Sequence, residues 1–194
     1  MTFTLHGFPV SRGIAAGTAH VVERGELEVP ERRLRAPEIE AEVDRLHEAL
    51  AVARSELDAI RNRVPAGTAA DVAAFIDAHL LMLEDAAFTR EPERLVRDLA
   101  CNAEWAVRLQ RDALVRVFDE MQDPYLRTRR DDVDHVVRLV LRILLAGASA
   151  PRVALDAPSG AIVIADELAP ADTVLLQHQG IGGFVTGSGG PTSH

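Results

Sequence analysis

The last eight residues, Gly187-Ser188-Gly189-Gly190-Pro191-Thr192-Ser193-His194, set chemistry-bearing side chains on a backbone suited to close approach. Glycines permit the tight turns such a loop needs. Thr192 and Ser193 are good N-cap residues for a helix that would follow, and the N–H groups and dipole of a helix start favour an anion such as phosphate. That positive end also penalises imidazolium and keeps a histidine neutral. A neutral imidazole has a nitrogen lone pair with which to attack phosphorus. His194 is therefore a candidate phosphoryl acceptor; the alternative is a histidine that merely follows a Gly-rich turn. Thr192 and Ser193 either donate hydroxyl hydrogen bonds to phosphoryl oxygens or serve only as caps. The sequence has no Walker-type phosphate loop, which argues against ATP.

A second cluster, Asp131, Asp132, Asp134 and His135, has metal-ligand chemistry. It reads more simply as solvated charge at the start of an apolar-periodic helix, and no metal ligand is assigned. The single cysteine, Cys101, cannot form an internal disulfide and fits a reducing cytoplasm. All 21 basic residues are arginine, which excludes any lysine-dependent mechanism. The net charge of −9 argues against nucleic acid as a partner and permits a basic protein. No apolar run approaches the roughly 20 residues that span a bilayer, and the N-terminus does not read as a signal peptide, so no membrane association is expected.

The elements that must position these residues come in two textures. Residues 1–25 are punctuated by Gly7, Pro9, Gly13 and Gly17 and read as short strands around Phe3, Leu5, Val10, Ile14 and 18–22. From residue 36 the period becomes helical. Ile39, Val43, Leu46, Leu50, Ala53, Leu57, Ile60 and Val64 form a heptad-spaced seam ending near Pro65-Ala66-Gly67. Further helices are expected over 69–83, 91–100, from an Asn102 cap and carrying Trp105, Leu109, Ala113 and Val117, and over 125–145 up to Gly147. Residues 36–146 thus read as an all-α unit, either a self-contained bundle or a helical hairpin with a protein-binding groove. Strand texture returns at 161–165 and 181–186, around a short helix that opens at Pro170. The expected class is α/β (α+β overall), with 1–25 and 148–194 forming one discontinuous unit and the helices inserted in it.

Gly189-Gly190-Pro191-Thr192-Ser193-His194 resembles the Gly-Gly-x-Thr-Ser-His phosphohistidine motif of phosphoenolpyruvate-utilising enzymes. Four further segments, in order, are similar to the N-terminal part of the Enzyme I family, the phosphoenolpyruvate–protein phosphotransferases of the sugar phosphotransferase system. They are 7–15 (Gly-Phe-Pro-Val-Ser-Arg-Gly-Ile-Ala), 79–85 (His-Leu-Leu-Met-Leu-Glu-Asp), 102–106 (Asn-Ala-Glu-Trp-Ala) and 123–133. The resemblance implies that phosphoenolpyruvate phosphorylates His194 and that the phosphoryl group passes to the small carrier HPr. It implies a swivelling α/β subdomain and an inserted helical subdomain that docks HPr. Thr173 takes the place of a threonine that hydrogen-bonds the unphosphorylated histidine; the alternative is a first-turn threonine satisfying its own backbone. Gly189, Gly190, Thr192 and Ser193 fall in the phosphate loop. His79, Leu81, Met82, Asp85, Phe88 and Arg129 match docking positions, with the apolar three at the centre. Ala86-Ala87 stand where the family often has acidic residues, which reduces the negative complement to a basic carrier.

The resemblance assigns phosphoenolpyruvate, Mg²⁺ and the homodimer interface to a C-terminal domain, so none is expected within this chain, which reads as a fragment of a cytoplasmic transferase. The Enzyme I paralogue of the nitrogen-related system is a close variant. A non-catalytic module binding a small carrier is the reading from another class, and the swivelling domain of a dikinase is disfavoured by the helical insertion. A terminal carboxylate beside the phosphoryl dianion at roughly 4–5 Å costs on the order of 1–4 kcal/mol. The 194-residue chain is accordingly expected not to autophosphorylate and to accept phosphate poorly from phospho-HPr. Efficient labelling of this chain by phospho-HPr would contradict that.

Overall fold

The computed structural model describes residues 2, 4–22, 27–64, 70–121, 124–146, 157–166 and 168–187. The chain divides into two compact units, Met1–Gly25 with Val153–His194, and Glu26–Arg152.

In the first unit, strands β1 (Ala19–Val22), β2 (Ile162–Ala165) and β3 (Gly183–Thr186) form a parallel sheet in the order β1-β2-β3. Val163 pairs with His20 on one side and Phe184 on the other. Parallel strands need a crossover, and α6 (Pro170–Gln179) supplies the one between β2 and β3. Period-two alternation sends Val163 and Ala165 inward, where they pack with Val22, Ala157 and Leu176. Gly17 lies so close to Gly160 that a Cβ would sit 2.1 Å from its carbonyl oxygen. The strands expected around Leu5, Val10 and Ile14 are absent: residues 4–18 form none, and these side chains are exposed. Pro9 lacks an N–H, and the glycines weaken extended pairing over that stretch.

Among its described residues the second unit holds the helices α1 (Ile39–Arg61), α2 (Ala70–Met82), α3 (Arg90–Leu99), α4 (Ala103–Glu120) and α5 (Pro124–Ala146), a 3₁₀ turn at Ala36–Glu38 and an isolated antiparallel bridge between Arg33 and Cys101. The heptad seam of α1 is its buried face, from Val43 through Leu46, Leu50, Ala53 and Leu57. It meets Ile76 and Leu83 and the α5 stripe Val133, Val136, Val137, Val140, Leu141 and Leu144. Position 126, expected in that stripe, and Gly147, expected as its cap, lie outside the described side chains and residues. On α4 the apolar residues at four-residue spacing leave the core along the helix, with Trp105 packed against it. Ala106, Val107 and Val115 are buried, whereas Ala113 and Val117 are exposed. A strict four-residue spacing overshoots the 3.6-residue turn, so such a stripe winds off the core.

Asn102 occupies the N-cap position of α4, but its side chain does not cap. Glu42 of α1 does so instead, accepting the Ala103 N–H at 2.8 Å. The buried Asn102 side chain accepts from Arg32 N–H and donates to the Pro30 carbonyl and to Glu104. Arg45 donates to Glu42 at 2.6 Å, to Glu104 at 2.7 Å and to the Leu144 carbonyl at 3.1 Å. One guanidinium thereby joins α1, α4 and the end of α5. Burial alone would raise both carboxyl groups. Arg45 and the Ala103 N–H outweigh it at Glu42, and Arg45, the residue's own N–H and Asn102 outweigh it at Glu104, so both lie below their ordinary value near 4.5.

A depressed folded value stabilises the fold above the ordinary carboxylate range and loses that contribution as pH falls through the folded values. Arg45→Met leaves the buried Glu104 without its cation and Glu42 with only Arg32, at 3.4 Å. The expected cost is about 2–4 kcal/mol, the lower side for breaking a buried pair because the guanidinium is partly exposed. Urea denaturation at neutral pH measures it, and the acid-side fall in stability should be shallower in the variant.

Candidate functional site

In the α/β unit the start of α6, which carries Thr173, and the end of β3 lie at the carboxyl edge of the sheet, where open parallel sheets bind ligands. β2 ends at Ala165, and α6 begins five residues later, at Pro170. Asp172 closes its first turn by accepting the Ala169 N–H at 2.8 Å. Thr173 follows, half-buried, its N–H donating to the Ala169 carbonyl at 3.3 Å. β3 ends at the same edge, where the Gly187 N–H donates to the Ala165 carbonyl at 3.0 Å. Gly187 is thus fixed beside Asp166 at the point where the Gly-rich run begins. Gly189, Gly190, Thr192, Ser193 and His194 themselves lie outside the described residues.

In the helical unit the six docking positions separate. Leu81 stands 67% exposed on α2, and Met82 beside it is half-buried against the core. Asp85 is exposed, but its carboxylate accepts the Ala87 N–H at 2.7 Å and holds the turn after α2. Arg129, on α5, is half-buried and donates to Asp132 at 2.8 Å. His79 and Phe88 are interior at 3% and 9% exposure, so neither is available at the surface as the docking expectation had it. Their rings fill space between helices: Phe88 joins the main apolar cluster, and His79 packs against Phe75 with the rings tilted and their centres 4.1 Å apart.

The reading of Asp131-Asp132 as solvated helix-start charge holds only in that Asp131 is exposed. These residues lie more than a turn inside α5, Asp132 is buried, and Asp134 is bound by Arg111 at 2.6 and 3.0 Å. Burial would raise the Asp132 carboxyl, but His79 and Arg129 outweigh it and hold it below its ordinary value. The signal was in the sequence as spacing: Arg129, Asp132 and His135 follow at three-residue steps along one helix face. Cys101 is buried, which raises its thiol and leaves it a packed, protonated side chain. Among the described residues no helix is long and apolar enough to cross a membrane.

Residues 6–129, more than half of the chain, match the family described as PEP-utilising enzyme, N-terminal. The chain belongs to the PEP-utilising enzymes. Residues 157–194 match the mobile domain of the same enzymes. The whole chain is similar to the phosphoenolpyruvate-protein phosphotransferase of Cupriavidus necator, 42% identical over 201 aligned residues that make up 34% of that protein. The corresponding protein of Listeria innocua is 35% identical over 33% of its length. The chain therefore spans about a third of the curated relatives it matches. Its fold is that of the N-terminal domain of Enzyme I. An NMR solution structure of Enzyme I superposes with a TM-score of 0.76 at 25% identity, covering 95% of this chain and 74% of that one. The N-terminal domain of Enzyme 1 - Nitrogen gives 0.70 at 26% identity, covering 96% and 75%.

The burial difference between the docking positions is measurable. Phe88→Ala opens a core cavity and should cost about 3–4 kcal/mol, whereas Leu81→Ala should stay within about 0.5 kcal/mol of the parent in chemical denaturation.

Proposed function

We propose that this chain is the phosphoryl-carrying and carrier-docking part of a phosphoenolpyruvate–protein phosphotransferase. The observation that carries the reading is the Gly-Gly-Pro-Thr-Ser-His run, which follows β3 from the carboxyl edge of the sheet and falls within the match to the mobile domain. A neutral ring nitrogen of His194 attacks the phosphorus of phosphoenolpyruvate. The bond from phosphorus to the enol oxygen breaks, and the enolate leaves, to be protonated to pyruvate. The phosphoryl group then moves from the His194 ring to a histidine of HPr.

Thr173 is assigned to orient the unphosphorylated imidazole, and Thr192 and Ser193 to donate hydroxyl hydrogen bonds to the phosphoryl oxygens. Gly189 and Gly190 keep the backbone N–H groups within reach of the anion. The helical unit docks HPr through Leu81 and Met82, with Asp85 and Arg129 as the charged surround; His79 and Phe88 act there only by shaping the helices from within. Mg²⁺, the phosphoenolpyruvate site and dimerisation are assigned to a C-terminal domain and to no described residue. A cytoplasmic setting fits the lone reduced cysteine and the exchange of phosphate with a soluble carrier.

The test joins residues 1–194 to the remaining, C-terminal part of the Cupriavidus necator relative and supplies radiolabelled phosphoenolpyruvate with HPr. The parent should label itself and HPr, and His194→Ala should do neither. Leu81→Glu should keep self-labelling and slow transfer to HPr at least about tenfold, as loss of a central interface contact does. Labelling that survives His194→Ala would sink the assignment.

A further inference from the structure

Helices α2 and α5 bring two histidines and a carboxylate together in a buried place that the phosphotransfer reading does not use. His79 comes from α2. Asp132 and His135 come from α5, three residues apart and so on one face. One donor atom from each of the three lies within 4.8 Å of the other two. Of these, His79 Nε2 and Asp132 Oδ1 are 3.8 Å apart.

Three details distinguish this cluster from an ordinary buried ion pair. His79 Nε2 is buried and makes no hydrogen bond, since 3.8 Å is too long for one. A buried ring nitrogen left so is destabilising and calls for a partner. Next, Arg129 binds Asp132 Oδ2 at 2.8 Å, which fixes the carboxylate with Oδ1 toward His79. Such an outer partner orients ligating carboxylates in metal sites. Finally, Phe75 walls the cluster, its ring 4.1 Å from that of His79 and 5.9 Å from that of His135, with the imidazoles 6.0 Å apart. A carboxylate and a histidine three residues apart on one helix, with a ligand from a facing helix, is also how helical bundles build metal centres.

We propose that His79, Asp132 and His135 form a zinc site that cross-links α2 to α5. Two imidazoles and one carboxylate select a borderline cation such as Zn²⁺ over Mg²⁺ or Ca²⁺, which take oxygen ligands. Bond lengths near 2.0–2.1 Å put tetrahedral donors about 3.4 Å apart, so the widest pair must close by at most about 1.4 Å, within reach of side-chain torsions. Water completes the fourth position. With Arg129 offsetting the single carboxylate, the affinity is modest. The ion braces the helix that presents Leu81.

The test uses the 194-residue chain after chelator treatment and dialysis. Calorimetry should show one saturable zinc equivalent, zinc should raise the melting temperature, and Co²⁺ should give visible d–d bands. His135→Gln and Asp132→Asn, checked for unchanged circular dichroism, should each weaken zinc binding by about tenfold or more. In the unaltered chain, the imidazole signals of His79 and His135 should move on zinc addition. The proposal is overturned if no saturable equivalent binds, if both variants keep parental affinity, or if the moving signals belong instead to His6, His20, His47, His178 or His194.

Discussion

Arg45 stands where three helices of the inserted unit meet, and most of that unit's geometry follows from satisfying it. Its guanidinium is shared by Glu42 and Glu104 and by the Leu144 carbonyl near the end of α5. Glu42 in turn supplies the cap that Asn102 withholds from α4, which frees Asn102 to hold the segment before α1. Apolar contacts tolerate a helix sliding by an ångström, but a buried polar network does not. The seam of α1 contributes the driving force, and this network fixes the register in which the helices settle.

The α/β unit obeys a different constraint. Its sheet is small, so its core holds few side chains, and close backbone approach matters more. Gly17 and Gly160 come together without room for a Cβ, and Gly187 is pinned to the end of β2. These contacts direct the chain out of β3 at the edge where α6 begins. The Gly-rich run therefore starts at a defined place, and the helix bearing Thr173 starts at that same edge.

Helix order and the α1 seam were legible because heptad-spaced apolar residues leave one arrangement that buries them. The sheet strands 162–165 and 183–186 were legible as short β-branched runs bounded by glycine and proline. The α4 face was not, because apolar residues such as Val117 occur on its solvent side as well. The state of His79 and Asp132 was also hidden: each is an ordinary polar residue until a second helix is laid against it. The phosphohistidine run was legible as a motif and not as geometry.

The Arg45 network has a bearing on how the unit is made. Arg45 reaches Glu104 across 59 positions and Leu144 across 99. Helical bundles usually fold quickly because their contacts are local in sequence, and these contacts are not. On the ribosome, α1 emerges long before the carbonyl that completes its arginine's coordination. Until α5 arrives, Glu42 and Arg45 can satisfy each other but cannot set the final packing. The bundle therefore completes late and as one cooperative piece, although its first helix is available from the start.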